Sequence, residues 1–305
     1  MLKIFIISGA TSTGKSAIAN ELAQELTGKK ELAIINADSL QIYEGLPILS
    51  AQPTLGEQEL APHFLYSKLK AHEKSSVAIW LNLLKPIIEE LWSKNITPII
   101  VGGTGMYLSK LVDGISKIPD ISAEIHEEAQ RFYDENGADI LQAKLIELGE
   151  KKIIDKQRLT RAFEVYLQTG KTLSWWQNQP KEKIFENANF IHANLEINRE
   201  KLYENCNFRF EKMLKNGAIE EVKNLRKILD NNQNYAITKT LGYEEICDYL
   251  DERISKETMI ELATQKTRNY AKRQLTWFRT QISNKETFND KNSLKEYILK
   301  KIYEI

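Results

Sequence analysis

Gly9-Ala-Thr-Ser-Thr-Gly14-Lys15-Ser16 decides the fold, because it matches G-x-x-x-x-G-K-[ST] and sits between two stretches of opposite periodicity. Before it, Lys3 to Ser8 is a short β-branched apolar run, which reads as a strand. After it, Ser16-Ala-Ile-Ala-Asn-Glu-Leu-Ala is apolar at helical spacing. Strand, glycine loop and helix in that order form a phosphate-binding loop. Its backbone N–H groups curl around anionic oxygens, while the helix N-terminus and Lys15 offset their charge. Gly9, Ala10, Thr11, Ser12, Thr13, Gly14, Lys15 and Ser16 are therefore the candidate phosphate-binding residues, with the Ser16 hydroxyl as a ligand for Mg²⁺. The motif does not say which phosphate compound is held.

Working outward, the same alternation recurs. Leu32 to Asn36 is a second strand, followed at once by Asp38; Val77 to Lys94 is helical; Thr97 to Val101 is a third strand running into Gly102-Gly103. Such alternation predicts a parallel sheet covered by helices. After Pro119 the chain becomes rich in Glu, Gln, Lys and Ala, with helical periodicity over 123–137, 139–148 and 159–169 and no evident strand. Phe190 to Leu195 returns to strand, and from Arg199 onward helix prevails. The expected organisation is a core from 1–117 and 188–305, interrupted by a helical insertion at 118–187. The polar stretch from Asp230 to Tyr235 is expected to be a loop between helices.

Composition narrows the class. The 305 residues carry 42 Lys+Arg against 42 Asp+Glu, with 42% hydrophobic and 28% charged, which excludes disordered, collagen-like and disulfide-scaffold chains. Cys206 and Cys247 are the only cysteines, too few for a Cys-based zinc site, and are expected to be small buried hydrophobes in a reducing cytoplasm. His63, His72, His126 and His192 lack metal-site spacing. No apolar run reaches a membrane span, so no membrane partner is expected. Zero net charge leaves nucleic acid open, since RNA reads local patches. One such patch is 266–279, where Lys266, Arg268, Lys272, Arg273 and Arg279 occur with no acid, and where Ala271, Leu275 and Phe278 form one apolar stripe of a helix. A second lies over 151–171. Trp175-Trp176 reads as helix packing.

Three segments together resemble the tRNA dimethylallyltransferase family, also called tRNA isopentenyltransferases. Asp38-Ser39-Leu40-Gln41-Ile42-Tyr43 resembles its D-S-x-Q-x-Y, Gly102-Gly103-Thr104-Gly105-Met106-Tyr107 its G-G-T-G-x-Y, and Thr267 to Trp277 its T-R-x-x-A-K-R-Q-x-T-W. Weaker echoes are Pro62-His63, Gln157 to Arg161, and Leu241-Gly242-Tyr243. The sequence departs from the pattern at Ala10, Gln52, His126 and Glu244, where Pro, Lys, Arg and a basic residue are common; Gln52 and Glu244 remove or invert positive charge.

The resemblance implies a P-loop NTPase-like α/β core with a helical insertion that grips tRNA. It implies a Mg²⁺-dependent, cytoplasmic, monomeric enzyme that moves a dimethylallyl group from dimethylallyl diphosphate to N6 of the adenosine 3′-adjacent to the anticodon, releasing diphosphate. On this reading Lys15, Asp38 and Thr104 are catalytic: Lys15 on the departing diphosphate, Asp38 accepting a proton from the amine, and Thr104 contacting the diphosphate or aligning the amine. The implied tRNA contacts are Asp38, Ser39, Leu40, Gln41, Thr104, His126, Gln157, Arg158, Leu159, Thr160, Arg161, Lys239, Arg268, Lys272 and Arg273. Ser39 and Gln41 carry groups suited to base edges. Two alternatives stand beside it. A small-molecule kinase using ATP would employ the loop and Asp38 but leave 266–279 idle, and a non-catalytic RNA-binding module would leave Lys15, Ser16 and Asp38 without a joint purpose.

Overall fold

The computed structural model describes residues 2–230 and 234–304, so residues 231–233 of the expected polar loop lie outside the described residues. The chain forms two compact units, Met1–Val112 with Phe185–Ile305, and Asp113–Ile184.

The first unit is built on a six-stranded sheet: β1 (Lys3–Gly9), β2 (Leu32–Asn36), β3 (His63–Phe64), β4 (Thr97–Gly102), β5 (Asn189–Leu195) and β6 (Glu286–Phe288). The spatial order is β3-β2-β4-β1-β5-β6 and every pairing is parallel. This is the parallel α/β core that the sequence predicts. A parallel sheet has helices on both faces, so its central strands are apolar throughout rather than alternating. Accordingly Ile4, Phe5, Ile6 and Ile7 of β1 and Ile99, Ile100 and Val101 of β4 are all buried. β3 and β6, of two and three residues, escape sequence reading because periodicity needs a longer run. Their shortness suits the sheet margins, where long strands invite edge pairing.

Helices α1 (Lys15–Leu26), α2 (Leu55–Gln58) and α3 (Val77–Ser93) connect the first four strands, and α4 (Gly105–Asp113) follows β4. On one side the core joins Ile18, Leu22 and Leu26 of α1 to Leu294, Ile298 and Ile302 near the C-terminus. α3 buries Trp80, Leu81, Leu84, Ile88 and Leu91, a stripe at helical spacing.

The second unit contains α5 (Ala123–Glu147), α6 (Lys156–Thr169) and α7 (Leu173–Gln177). Gly137, at φ 79°, breaks α5 into two segments. Ala129, Leu141, Leu145, Leu159, Ala162 and Phe163 give this unit a core of its own. Trp175 and Trp176 meet edge to face at 5.0 Å, and Trp175 also lies beneath the Lys171 ammonium.

The first unit is completed by α8 (Arg199–Lys215), α9 (Ala218–Ile228), a 3₁₀ turn (Ala236–Lys239), α10 (Tyr243–Leu250), α11 (Lys256–Gln281) and α12 (Lys291–Tyr303). Cys206 is buried as expected, whereas Cys247 is only half-buried because α10 leaves that side partly open to solvent. No described helix is long and apolar enough to cross a membrane.

Candidate active site

The phosphate loop follows β1 directly and hands over to α1 at Gly14, whose φ of 100° places it in the left-handed region that favours glycine. Within the loop, Ala10 O accepts from Thr13 Oγ1 at 2.9 Å and from Lys15 Nζ at 2.7 Å. The Lys15 ammonium is thus folded back onto its own loop. Burial first and the nearby Arg209 second lower its pKa to about 7, with the Asp38 charge opposing both.

Arg209, on α8, was not singled out by sequence because it is one arginine among many on a long amphipathic helix. Its guanidinium donates to Thr11 Oγ1 at 3.0 Å. Burial lowers its pKa too, with Asp38 again pulling the other way. Two desolvated cations and one carboxylate therefore face the same space. That space is a cavity of about 770 Å³, lined by Ser12, Lys15, Ser16, Asp38, Gly103 and Arg209, among others. Beside it lies a narrow chamber of about 50 Å³ whose walls include Leu40, Leu49, Cys206, Phe210, Met213 and Leu241. Thr11, Asp38, Arg209 and Met213 line both.

Asp38 follows β2. Its backbone N–H donates to Asn36 Oδ1 at 2.7 Å, and its own Oδ1 accepts from Leu40 N at 3.0 Å and Gln41 N at 3.4 Å. These bonds to one oxygen fix the carboxylate in an Asx turn. Gly102 ends β4 beside it, where a Cβ would stand 2.2 Å from Ala37 O; only glycine lets the two strand ends approach this closely. Thr104 then accepts from Ser39 N at 3.0 Å through its hydroxyl, and its N–H donates to Ala37 O at 3.2 Å. Thr104 and Ser39 thus bind each other and line neither cavity.

A second residue the sequence reading passed over is Gln274, hidden inside the quoted basic segment. Its Oε1 accepts from Thr11 N at 2.7 Å and its Nε2 donates to Gly103 O at 2.8 Å. It is buried on α11 and ties the phosphate loop to the glycine turn after β4. Tyr270, one turn earlier, lines the chamber; burial, and then the Asp38 charge, raise its pKa.

The remaining expected contacts divide. Gln41 Nε2 donates to Ser50 O at 2.9 Å and Ala51 O at 3.0 Å, so the donor half of its amide holds a loop and only Oε1 is left for a ligand. Gln52, in place of a common Lys, spans Tyr43 O and Ser67 Oγ. Leu159 and Thr160 point inward, Leu159 into the core of its unit and Thr160 with its hydroxyl on Lys156 O. Both side chains pack within the unit, while Gln157, Arg158 and Arg161 stay exposed. In the same unit the buried Glu164 accepts from Arg161 Nη1 at 3.1 Å and pairs with His126 Nδ1 at 2.6 Å. Along α11, Lys266 is neutralised by Glu244 and Glu245, and Arg279 pairs with Glu196. Arg268 bonds the neutral Asn207, Arg273 lies 5.7 Å from the Tyr270 ring, and Lys272 is exposed. Lys239 is exposed on the 3₁₀ turn.

For a divalent cation the large cavity offers the exposed Ser16 hydroxyl and the Asp38 carboxylate, while the Glu57 carboxylate on its wall already accepts from Asn20 and Thr54. No cluster of three His, Cys, Asp or Glu occurs among the described residues. So sparse an oxygen set fits Mg²⁺, which keeps most of its water and takes phosphate oxygens.

Residues 41–281 match a family model described as IPP transferase, and residues 2–65 one described as isopentenyl transferase. The tRNA dimethylallyltransferase of Rickettsia bellii (strain OSU 85-389) is 38% identical over 295 residues, covering 95% of this chain and 92% of the relative. That of Ehrlichia ruminantium (strain Welgevonden) is 38% identical over 309 residues, covering 99% of each. Among solved structures, the full-length tRNA isopentenylpyrophosphate transferase of Bacillus halodurans aligns with a TM-score of 0.70 at 29% identity, over 99% of this chain and 96% of that one.

Proposed function

The chain belongs to the IPP transferase family, and from that premise and the chemistry of the cavity we propose that it is a tRNA dimethylallyltransferase. It moves a dimethylallyl group from dimethylallyl diphosphate to N6 of the adenosine 3′-adjacent to the anticodon. The observation that carries this reading is the pairing of two desolvated cations, Lys15 and Arg209, with an adjoining apolar chamber. An anion carrying a short hydrocarbon is the ligand that satisfies both. A phosphoryl donor would leave the chamber without purpose.

In the reaction the allylic C1–O bond breaks, the N6–C1 bond forms, diphosphate leaves and the amine loses one proton. Charge builds on the bridging oxygen as it departs, so Lys15, Arg209 and the loop N–H groups stabilise the transition state most where charge grows. Ser16, with substrate oxygens and water, would hold Mg²⁺, which when bound would neutralise further diphosphate charge. Asp38 keeps one carboxylate oxygen outside its Asx turn. That oxygen accepts an N–H of the adenine amine, orients it and takes its proton. Thr104 acts through Ser39, holding the turn that carries Asp38. The chamber walls keep water from the allylic carbon, and Gln274 holds loop and turn at a fixed spacing.

RNA contacts fall to Arg268, Lys272 and Arg273 of α11, which form no ion pair among the described residues, and to Lys239. In the second unit they fall to Arg158, Arg161 and His126, the last two steadied by Glu164, which suits a grip on the anticodon stem-loop. The enzyme acts as a monomer in the cytoplasm. The test is to incubate the purified protein with unmodified tRNA, Mg²⁺ and either dimethylallyl diphosphate or ATP. A tRNA mass gain with the prenyl donor alone is expected; phosphate transfer from ATP to a small acceptor, with no such gain, would overturn the assignment.

A further inference from the structure

Lys291 is the first residue of α12 and lies beyond both matched segments, 2–65 and 41–281. Its side chain nevertheless reaches the phosphate loop. A Cβ on Gly14 would stand 2.4 Å from Lys291 Cε and 2.6 Å from Nζ, so the ammonium lies against the loop's last glycine.

The packing explains how it gets there. Lys295 pairs with Glu21 at 3.5 Å and Glu25 at 3.4 Å, and Lys30 Nζ donates to Ile302 O at 3.4 Å, so residue numbers rise together along α1 and α12. The helices are parallel, and Leu294, Ile298 and Ile302 share a core cluster with Ile18, Leu22 and Leu26. Their N-termini lie at the same end, with Lys291 at that end too.

This is a poor place for a cation in the free protein. Helix N-termini carry partial positive charge and favour anions. Lys15 adds a second ammonium in the adjoining residue. The neighbouring Asp290 carboxylate is turned to its own helix, accepting from Ser293 N at 2.9 Å and Ser293 Oγ at 2.7 Å. Lys291 itself is exposed and, among the described residues, forms no ion pair. A multiply charged anion seated on the loop would give this ammonium the ion-pair partner it does not have among the described residues.

We propose that Lys291 is a donor-binding residue, whose ammonium hydrogen-bonds an oxygen of the diphosphate seated on the loop at Gly14. The C-terminal helix thereby contributes to the leaving-group site. The proposal rests on the reading of that loop as a diphosphate site.

The experiment titrates inorganic diphosphate calorimetrically into the wild type, Lys291→Ala, Lys291→Arg and Lys15→Ala, and measures KM for dimethylallyl diphosphate and tRNA affinity for each. Losing one charge-assisted hydrogen bond should weaken diphosphate binding of Lys291→Ala roughly tenfold. KM for the donor should rise in parallel, tRNA affinity should hold, and Lys291→Arg should restore binding. The melting temperature of unliganded Lys291→Ala should not fall, since the cation stabilises nothing there. If diphosphate binds Lys291→Ala as well as or better than the wild type while Lys15→Ala loses it, Lys291 merely lies over the loop and the proposal fails alone. If the wild type does not bind diphosphate, the donor reading of the loop fails first.

Discussion

Lys15 is a charged residue held under conditions that disfavour its charge, and this has consequences of definite sign. With its pKa lowered from 10.5 to about 7, the unfolded chain binds the extra proton more readily between those values. Its contribution to stability therefore improves as pH rises through that window and is least favourable below about 7. Anion binding works in the opposite direction, because the ligand needs the protonated amine. Diphosphate affinity should fall as pH rises above about 7, more steeply than in Lys15→Arg, whose guanidinium stays charged and serves as the control for titration of the ligand itself. Isothermal titration at several pH values measures this, and equal slopes for the two proteins would disprove it. Asp38 is a different case, since its role concerns proton transfer. Asp38→Ala should reduce the single-turnover rate by roughly 10²–10⁴-fold with donor affinity retained. An unchanged rate would return Asp38 to the role of a turn cap.

At the scale of elements, the site is assembled where β1, β2 and β4 end and where α8 and α11 cover those ends. One contact tests how tightly α11 is seated. A Cβ on Gly105 would meet Trp277 Cδ1 at 2.1 Å and Nε1 at 2.3 Å. Gly105→Ala should therefore destabilise the protein by about 1–3 kcal/mol and shift the tryptophan emission, both measurable in one urea titration. A wild-type midpoint would mean that the indole moves aside freely. The four longer strands were legible as short runs dominated by apolar residues, as Thr97 to Val101 is before Gly102, although β5 carries His192 and Asn194 within its run. Residues of the loop and Asp38 were legible for a related reason: their chemistry depends on local spacing. Arg209 and Gln274 were not, since each acts on residues about two hundred or more positions away, 198 for Arg209 and 263 for Gln274 at Thr11. Nor could spacing show that Glu244 and Glu245 would cancel Lys266, or that Leu159 and Thr160 would face inward.

The helical unit has a core cluster of its own, and it should fail separately from the sheet-bearing unit. Phe163 is almost wholly buried in the helical unit and contacts Phe132 at a ring distance of 5.0 Å. Phe163→Ala should cost that unit about 3–5 kcal/mol. Calorimetry should then show a lowered transition for that unit alone, with tRNA binding reduced and diphosphate binding intact. Loss of diphosphate binding would mean that the two units fold as one. The order of the sheet has a consequence of another kind, for a chain still being translated. β1 is the first strand to leave the ribosome, yet it is central, and its neighbours β4 and β5 come much later. The bond from Ser8 to Asn194 spans 186 residues. At about 5–20 residues per second, β1 waits on the order of ten seconds or longer for that partner. Until β4 follows, β1 travels with the nascent chain as an unpaired apolar strand, and its other edge stays open to chaperones and to neighbouring polysomes until β5 arrives. The phosphate loop is thus translated well before Lys291, which lies over its last glycine.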